Sequence, residues 1–263
     1  MEKKWLKKKF REYYTKNRVV APYKIEKREF GFITFDRGVV KRHIGFKNLD
    51  MLMGYIRKDP PLHLYYSTAL YEKPYMKNME EKQWSGAELI FDLDADHIDT
   101  KCKKVHGDGW FCFNCLEVVK EQTIELVSDF LIGDFGISKK DIIIAFSGQR
   151  GYHVHVMDKS YFKLGQRERR EIVDYITAKG LNITRIFSKG KKYEIFGPLI
   201  DESGWRGRIA RWMKEYGEKK GDIELINATR NGTWGGLRRY TFKKLTNLAL
   251  KIDLMCSIKF TAC

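Results

Sequence analysis

The stretch Leu89-Ile90-Phe91-Asp92-Leu93-Asp94-Ala95-Asp96 (LIFDLDAD, residues 89–96) drives an apolar run into three aspartates set at every second position. Period two is the repeat of a β-strand. Asp92, Asp94 and Asp96 are therefore expected on one face, with Leu89, Phe91 and Leu93 on the other. At ~5 Å and an effective dielectric of about 20, each pair of such carboxylates repels by roughly 3 kcal/mol, which only a cation, a proton or full solvation offsets. A buried strand that ends this way needs a compensating partner.

Working outward, the neighbouring segments alternate between strand and helix patterns. Residues 2 to 17 form a basic helical pattern whose Trp5, Phe10, Tyr13 and Tyr14 are expected to supply one apolar side. REFGFITFDRGVVKRHIGF (28–46) reads as a hairpin turning at Asp36, Arg37 and Gly38, where glycine supports a positive φ. A short helix is expected from Asn48. LHLYYSTAL (62–70) and AELIFDLDAD (87–96) read as strands, 116 to 131 as an amphipathic helix, and DIIIAFSGQRGYHVHVMD (141–158) as a second strand pair. From about 160 to 245 helical spacing and dense basic charge take over, as in QRERREIVDYITAKG and WRGRIARWMKEYG. This is an α/β (α+β) pattern with no internal repeat and no linker.

Composition narrows the chemistry. The 263 residues are 43% hydrophobic, enough to bury a sizeable core in one large domain or one domain with insertions. Fifty Lys and Arg against 34 Asp and Glu leave +16, which favours an anionic partner such as nucleic acid, nucleotides or an anionic membrane surface. No apolar run is long enough to span a bilayer, and the basic N-terminus lacks the apolar core of a signal peptide, so an intracellular, cytoplasmic protein is expected. Three of the five cysteines fall within fourteen residues, which fits metal binding better than a disulfide framework.

Those cysteines lie in CKKVHGDGWFCFNC (102–115). Cys102, His106, Cys112 and Cys115 have the spacing C-x3-H-x5-C-x2-C, with Gly107 and Gly109 letting the chain fold back. Three thiolates and an imidazole make a tetrahedral structural Zn²⁺ set with no coordination position left for a substrate. The expected role of this knuckle, spanning 97–118, is to brace a polar loop. A second constellation is SGQRGYHVHV (147–156). Ser147, the amides around Gly148 and Gly151, the Arg150 guanidinium and the His153 imidazole are groups that bind phosphate oxygens, and His153 and His155 share a strand face. On these residues alone, a plain hairpin with surface histidines fits as well.

The order of the four segments, REFGFITF…VVKRHIGF, LIFDLDADH, the C-H-C-C knuckle and SGQRGYHVHV, resembles the small catalytic subunit of the archaeal and eukaryotic replicative DNA primase, the archaeal form above all. The resemblance implies a prim-pol core: a mixed β-sheet flanked by helices, with a zinc-knuckle and a helical insertion, in one catalytic domain over 1–263. It implies that Asp92 and Asp94 ligate catalytic Mg²⁺ or Mn²⁺, with Asp96 in support. Arg42, Ser147, Gly148, Arg150 and His153 would contact nucleotide. The implied reaction is template-directed nucleotidyl transfer that makes short primers from nucleoside triphosphates on single-stranded DNA, in a heterodimer with a primase large subunit and close to the nucleoid, without membrane contact.

The C-terminal end departs from that pattern. After LALKID the family continues to a third metal-binding aspartate and a Ser-Leu-His-Gly element, whereas here Lys259 occupies the expected position and no S-x-H follows. The chain thus looks C-terminally truncated, with a sheet strand missing, and impaired polymerisation is expected. Two other classes stay open: a different two-metal phosphotransferase or nuclease, and an inactive or split zinc protein that binds nucleic acid or nucleotide.

Overall fold

The computed structural model describes residues 2–35, 40–98, 102–107, 110–191, 194–232, 234, 235, 237, 240, 242–253 and 261–262. The expected hairpin turn at Asp36 to Gly38, Gly109 of the knuckle, and Lys259 lie outside the described residues. The chain divides into two compact units, residues 1–90 with 159–164, and 91–158 with 165–262.

The first unit begins with α1 (Glu2–Lys16) and continues through β1 (Phe30–Ile33), β2 (Val40–Ile44), α2 (Leu49–Lys58), β3 (His63–Tyr66), β4 (Ala69–Tyr71) and β5 (Trp84–Ala87). Asn48 starts α2 as the sequence predicts, its side-chain oxygen accepting from the Met51 amide at 3.0 Å. Strand β1 sits between β2 and β3 in an antiparallel sheet. Phe30, Phe32, Phe46, Leu52, Met53 and Ile56 form the core beneath it. The LHLYYSTAL segment splits into two strands in different sheets, because β4 pairs with β5 and not with the β1 sheet. The N-terminal helix also differs from expectation. Phe10 packs edge-on against Phe35 and Tyr14 joins the core, but Trp5 and Tyr13 are 62% and 58% exposed.

The second unit holds the end of β6 (Leu89–Asp94), then α3 (Lys103–His106), α4 (Phe113–Glu125), β7 (Ile142–Phe146), β8 (Gly151–Val156) and α5 (Gln166–Ile176). After these come β9 (Ser188–Lys189), β10 (Ile195–Phe196), α6 (Gly204–Lys220), α7 (Ile223–Asn231), α8 (Phe242–Asp253) and β11 (Thr261–Ala262). The helix expected over 116–131 starts three residues earlier and passes after Glu125 into π-helical turns over Leu126–Asp134. The sheet has the order β11-β6-β8-β7, with Thr261 opposite Asp92. Residues 261–262 thus pair antiparallel beside β6, at the edge of the sheet.

The helical part packs around Phe187, Ile209, Met213, Leu225, Trp234 and Leu245. Not all of its basic charge faces water. Arg208 is 4% exposed, its guanidinium 3.8 Å from the Phe130 ring, and it donates to Asp134 Oδ2 and the Asp129 carbonyl, each at 2.6 Å. Tyr175 donates to the same Asp134 oxygen at 2.8 Å, so one carboxylate ties the π-helical turns to both α5 and α6.

Candidate functional site

Strand β6 behaves as its sequence demands up to Asp94. Phe91 and Leu93 are fully buried on one side, Asp92 is half-buried on the other, and Asp94 is 7% exposed. The alternation stops there. The Ala95 amide donates to the Arg150 carbonyl at 3.0 Å, and the Ile98 amide to Ala95 O at 3.3 Å closes a 3₁₀ turn over Ala95–His97. Asp96 therefore reaches the site from a turn and not, as period two predicts, from the strand.

The β7–β8 hairpin supplies the opposing charge. Its register sets Ala145 opposite His153 and Ile143 opposite His155, while Val154 and Val156 bury on the other side. In the connecting turn Gly148 has φ 92°, a conformation that favours glycine. The Ser147 hydroxyl accepts from the Gly151 amide at 3.0 Å, so this oxygen holds the turn closed. Gly151 is required for a different reason: a Cβ there would lie 1.9 Å from Leu93 O and 2.5 Å from Asp94 Oδ1. The turn backbone thus lies directly on the end of β6.

That contact brings together the residues singled out from the sequence. Arg150 Nε donates to Asp94 Oδ2 at 2.9 Å, and its Nη1 lies 3.0 Å from Asp96 Oδ2. His153 Nε2 is 3.3 Å from Asp92 Oδ1. The compensation that the three carboxylates require comes from the very side chains expected to hold phosphates.

The knuckle also assembles. The ligand atoms of Cys102, His106, Cys112 and Cys115 all lie within 4.8 Å of one another. Cys112 Sγ and Cys115 Sγ are 3.8 Å apart, and His106 Nε2 is 3.5 Å from Cys115 Sγ. Tetrahedral zinc with bonds of about 2.0–2.3 Å sets ligand atoms ~3.3–3.8 Å apart. These two separations match that spacing, Cys102 Sγ lies closer to Cys115 Sγ at 3.0 Å, and three thiols with one imidazole are the donor chemistry that zinc takes. His106 Nδ1 lies 2.8 Å from the Gly107 carbonyl, an arrangement that fixes the ring and leaves Nε2 for a metal. The Gly107 carbonyl also pushes the His106 pKa up. On Cys112 the Cys115 backbone amide lowers the thiol pKa, as thiolate ligation needs.

The first unit carries a separate charged cluster around Arg42. Arg42 is 60% exposed along its side chain, and its Nε lies 3.4 Å from Glu29 Oε1. Glu29 also takes the His43 amide at 3.1 Å and pairs with Lys82, which is fully buried and lies 5.1 Å from the Tyr71 ring. Burial pushes the Glu29 pKa up, but the Lys82 ammonium and the His43 amide outweigh it and hold the carboxyl below its usual range. His43 has φ 62° within β2, a strained conformation that aims its amide at Glu29. Glu29, Arg42, Tyr65, Tyr66 and Ser67 line a cleft of ≈ 180 Å³. Sequence reasoning singled out Arg42 and missed Glu29 and Lys82; the available signal was a charged residue immediately before the apolar strand FGFI.

The comparisons with known proteins bear on these sites together. The family model for the DNA primase small subunit matches residues 91–227, which contain the carboxylates, the knuckle and the Ser147–His153 turn. The chain is 44% identical over 215 residues to the DNA primase small subunit PriS of Methanothrix thermoacetophila, covering 78% of this chain and 53% of the relative. To that of Pyrobaculum calidifontis it is 42% identical over 218 residues, covering 82% and 68%. The chain belongs to the DNA primase small subunit family. It spans about half to two-thirds of the length of the curated relatives it matches; for the PriS of Thermoplasma acidophilum, 43% identical, the share is 60%. The mixed α+β fold is that expected for a primase small subunit, with small sheets flanked by helices. Among the described residues no helix is long and apolar enough to cross a membrane.

Proposed function

We propose that this chain carries the metal and nucleotide centre of a template-directed nucleotidyltransferase that makes primers on single-stranded DNA, with nucleoside triphosphates as substrates and a primase large subunit as partner. The observation that carries the reading is the clasp across β6 and β8: Asp92 and Asp94 on one strand, His153 and Arg150 within 3.3 Å on and beside its neighbour.

Asp92 and Asp94 would hold Mg²⁺ or Mn²⁺, which supplies charge stabilisation for a transferring phosphoryl group. Every other step belongs to the protein. Without metal, Arg150 and His153 offset the carboxylates. With metal held by Asp92 and Asp94, the guanidinium fork and the imidazole would be available to triphosphate oxygens, together with amides of the Ser147–Gly151 turn. Ser147 keeps that turn closed, and Gly148 supplies its positive φ. Cys102, His106, Cys112 and Cys115 would hold Zn²⁺ in a closed set that braces the loop after β6.

The deciding assay is nucleotide incorporation on a single-stranded template with Mg²⁺ or Mn²⁺. Metal-dependent polymer growth that is abolished by Asp92→Asn with Asp94→Asn, with a loss of at least ~100-fold, supports the reading. Strand cleavage would assign the carboxylates to a nuclease. Binding without turnover would leave a nucleotide-binding module.

A further inference from the structure

The helix α1 presents two faces of different character. Its inner side is used by the first unit: Phe10 packs on Phe35, Tyr14 enters the core, Lys7 pairs with Asp59 at 2.9 Å, and the Tyr14 carbonyl accepts from Arg57 at 2.8 Å. Its outer side carries Trp5 and Tyr13, both more than half exposed, among exposed Lys8, Lys9 and Lys16. Trp5 and Tyr13 are eight residues apart, so their rings are displaced by about 12 Å along the helix and by less than a quarter turn around it. Lys9 lies between them, with its Nζ 6.0 Å from the Trp5 ring centre and 2.8 Å from Glu12.

The charge of this segment is one-sided. Lys3, Lys4, Lys7, Lys8, Lys9, Arg11, Lys16 and Arg18 face one acidic residue, Glu12, between positions 3 and 18. Ion pairs among the described residues take up Lys7, Lys9 and Arg18. Lys3, Lys4, Lys8 and Lys16 are exposed. Trp5, Leu6 and Tyr13 are exposed, and at 100° per residue Lys9 and Lys16 fall between Trp5 and Tyr13 around the helix. The ammonium groups thus share the face with the rings instead of forming the opposite polar face that an interfacial membrane helix has. Lysine is also depleted at the cores of protein interfaces. Both features suit a polyanion with flat, unpaired rings.

We propose that the outer face of α1, formed by Trp5 and Tyr13 with Lys8, Lys9 and Lys16, is a binding surface for single-stranded nucleic acid, its rings stacking on bases and its ammonium groups tracking phosphates. The surface depends on the proposed primer-making activity only for the choice of DNA as probe, and it needs neither the carboxylates nor a nucleotide.

The test is fluorescence anisotropy of a labelled single-stranded oligothymidylate, titrated with the full chain in the absence of divalent metal and nucleotide. Trp5→Ala with Tyr13→Ala is expected to weaken binding by at least ~10-fold, the size of loss that removal of stacking rings gives. Trp5→Phe with Tyr13→Phe should retain most of the affinity. Lys8→Gln, Lys9→Gln and Lys16→Gln together should reduce the slope of log K against log salt by about 2. If the alanine pair lowers the melting temperature as well, the phenylalanine pair and the salt slope decide. Unchanged affinity in the alanine pair and an unchanged slope in the lysine variant overturn the proposal. So does a loss confined to binding of phosphatidylserine-containing vesicles or to self-association of the chain, with oligothymidylate affinity intact. Because the assay omits metal and triphosphate, inactive carboxylates would not affect its outcome.

Discussion

Replacing Arg150 with alanine removes one cation shared by two carboxylates, and the structure sets the size of the effect. Its guanidinium lies 2.9 Å from Asp94 and 3.0 Å from Asp96. With charge centres ~4 Å apart and an effective dielectric of about 20, each pair has a Coulomb energy of ~4 kcal/mol before desolvation and screening. The arginine side chain is 45% exposed and Asp96 33%, so water reduces that pair to ~1 kcal/mol or less. Asp94, at 10%, is better shielded, and its pair is worth about 1–2 kcal/mol. Arg150→Ala should therefore cost about 2 kcal/mol and lower the melting temperature by about 4–8 °C in metal-free buffer. The freed carboxylates should then bind Mn²⁺ more tightly than in the wild type, by up to ~10-fold, and saturating Mn²⁺ should recover part of the lost melting temperature. Differential scanning fluorimetry with and without MnCl₂, together with calorimetric titration of the metal, measures both effects. A variant that melts like the wild type and binds Mn²⁺ no better would refute the idea that Arg150 compensates the acidic cluster.

Purified without chelator, the protein should carry about one zinc per chain by metal analysis, and Cys112→Ser should lower both zinc content and melting temperature. Gly151→Ala should destabilise by about 3 kcal/mol or more in denaturant titration, because the added Cβ meets Leu93 O at 1.9 Å and neither backbone can retreat without breaking the β6–β8 contact. At the alkaline end, the Tyr175 phenol is pushed up to about 12, first by burial and then by its hydrogen bond to Asp134. The unfolded phenol ionises near 10, so this contribution is complete below pH 10 and is lost as pH rises toward 12. Tyr175→Phe should flatten the fall in melting temperature over that window.

The parts of the site that were legible in the sequence are those written by local spacing. Period two in LIFDLD placed Asp92 and Asp94 on a buried strand, glycine and register made the hairpin around SGQRG, and C-x3-H-x5-C-x2-C gave the knuckle. Asp96 was misassigned because strand alternation says nothing about where a ladder ends; here the Ala95 amide is captured by the Arg150 carbonyl. The partner of Arg150 was hidden for a related reason: the guanidinium and Asp94 are 56 residues apart in sequence and meet only through sheet order. Glu29 and Lys82, 53 apart, meet through the fold of the first unit in the same way. In α1 the four aromatics look alike in sequence, and only packing against Phe35 and the core divides them into two covered and two exposed rings. Arg208 reads as surface charge in a basic helix, yet Asp134, the Asp129 carbonyl and the Phe130 face make its burial possible.

The central claim is that Asp92 and Asp94, with the Ser147–His153 turn, form one metal–triphosphate site. The measurement that meets it most directly is calorimetric titration of a nucleoside triphosphate into the protein with and without Mn²⁺, repeated on Asp92→Asn with Asp94→Asn and on His153→Ala. Binding is expected to be strengthened by Mn²⁺ by at least ~10-fold, to lose this metal dependence in the double variant, and to weaken in His153→Ala while zinc content is unchanged. Triphosphate binding that is indifferent to Mn²⁺ and to both aspartates would contradict it.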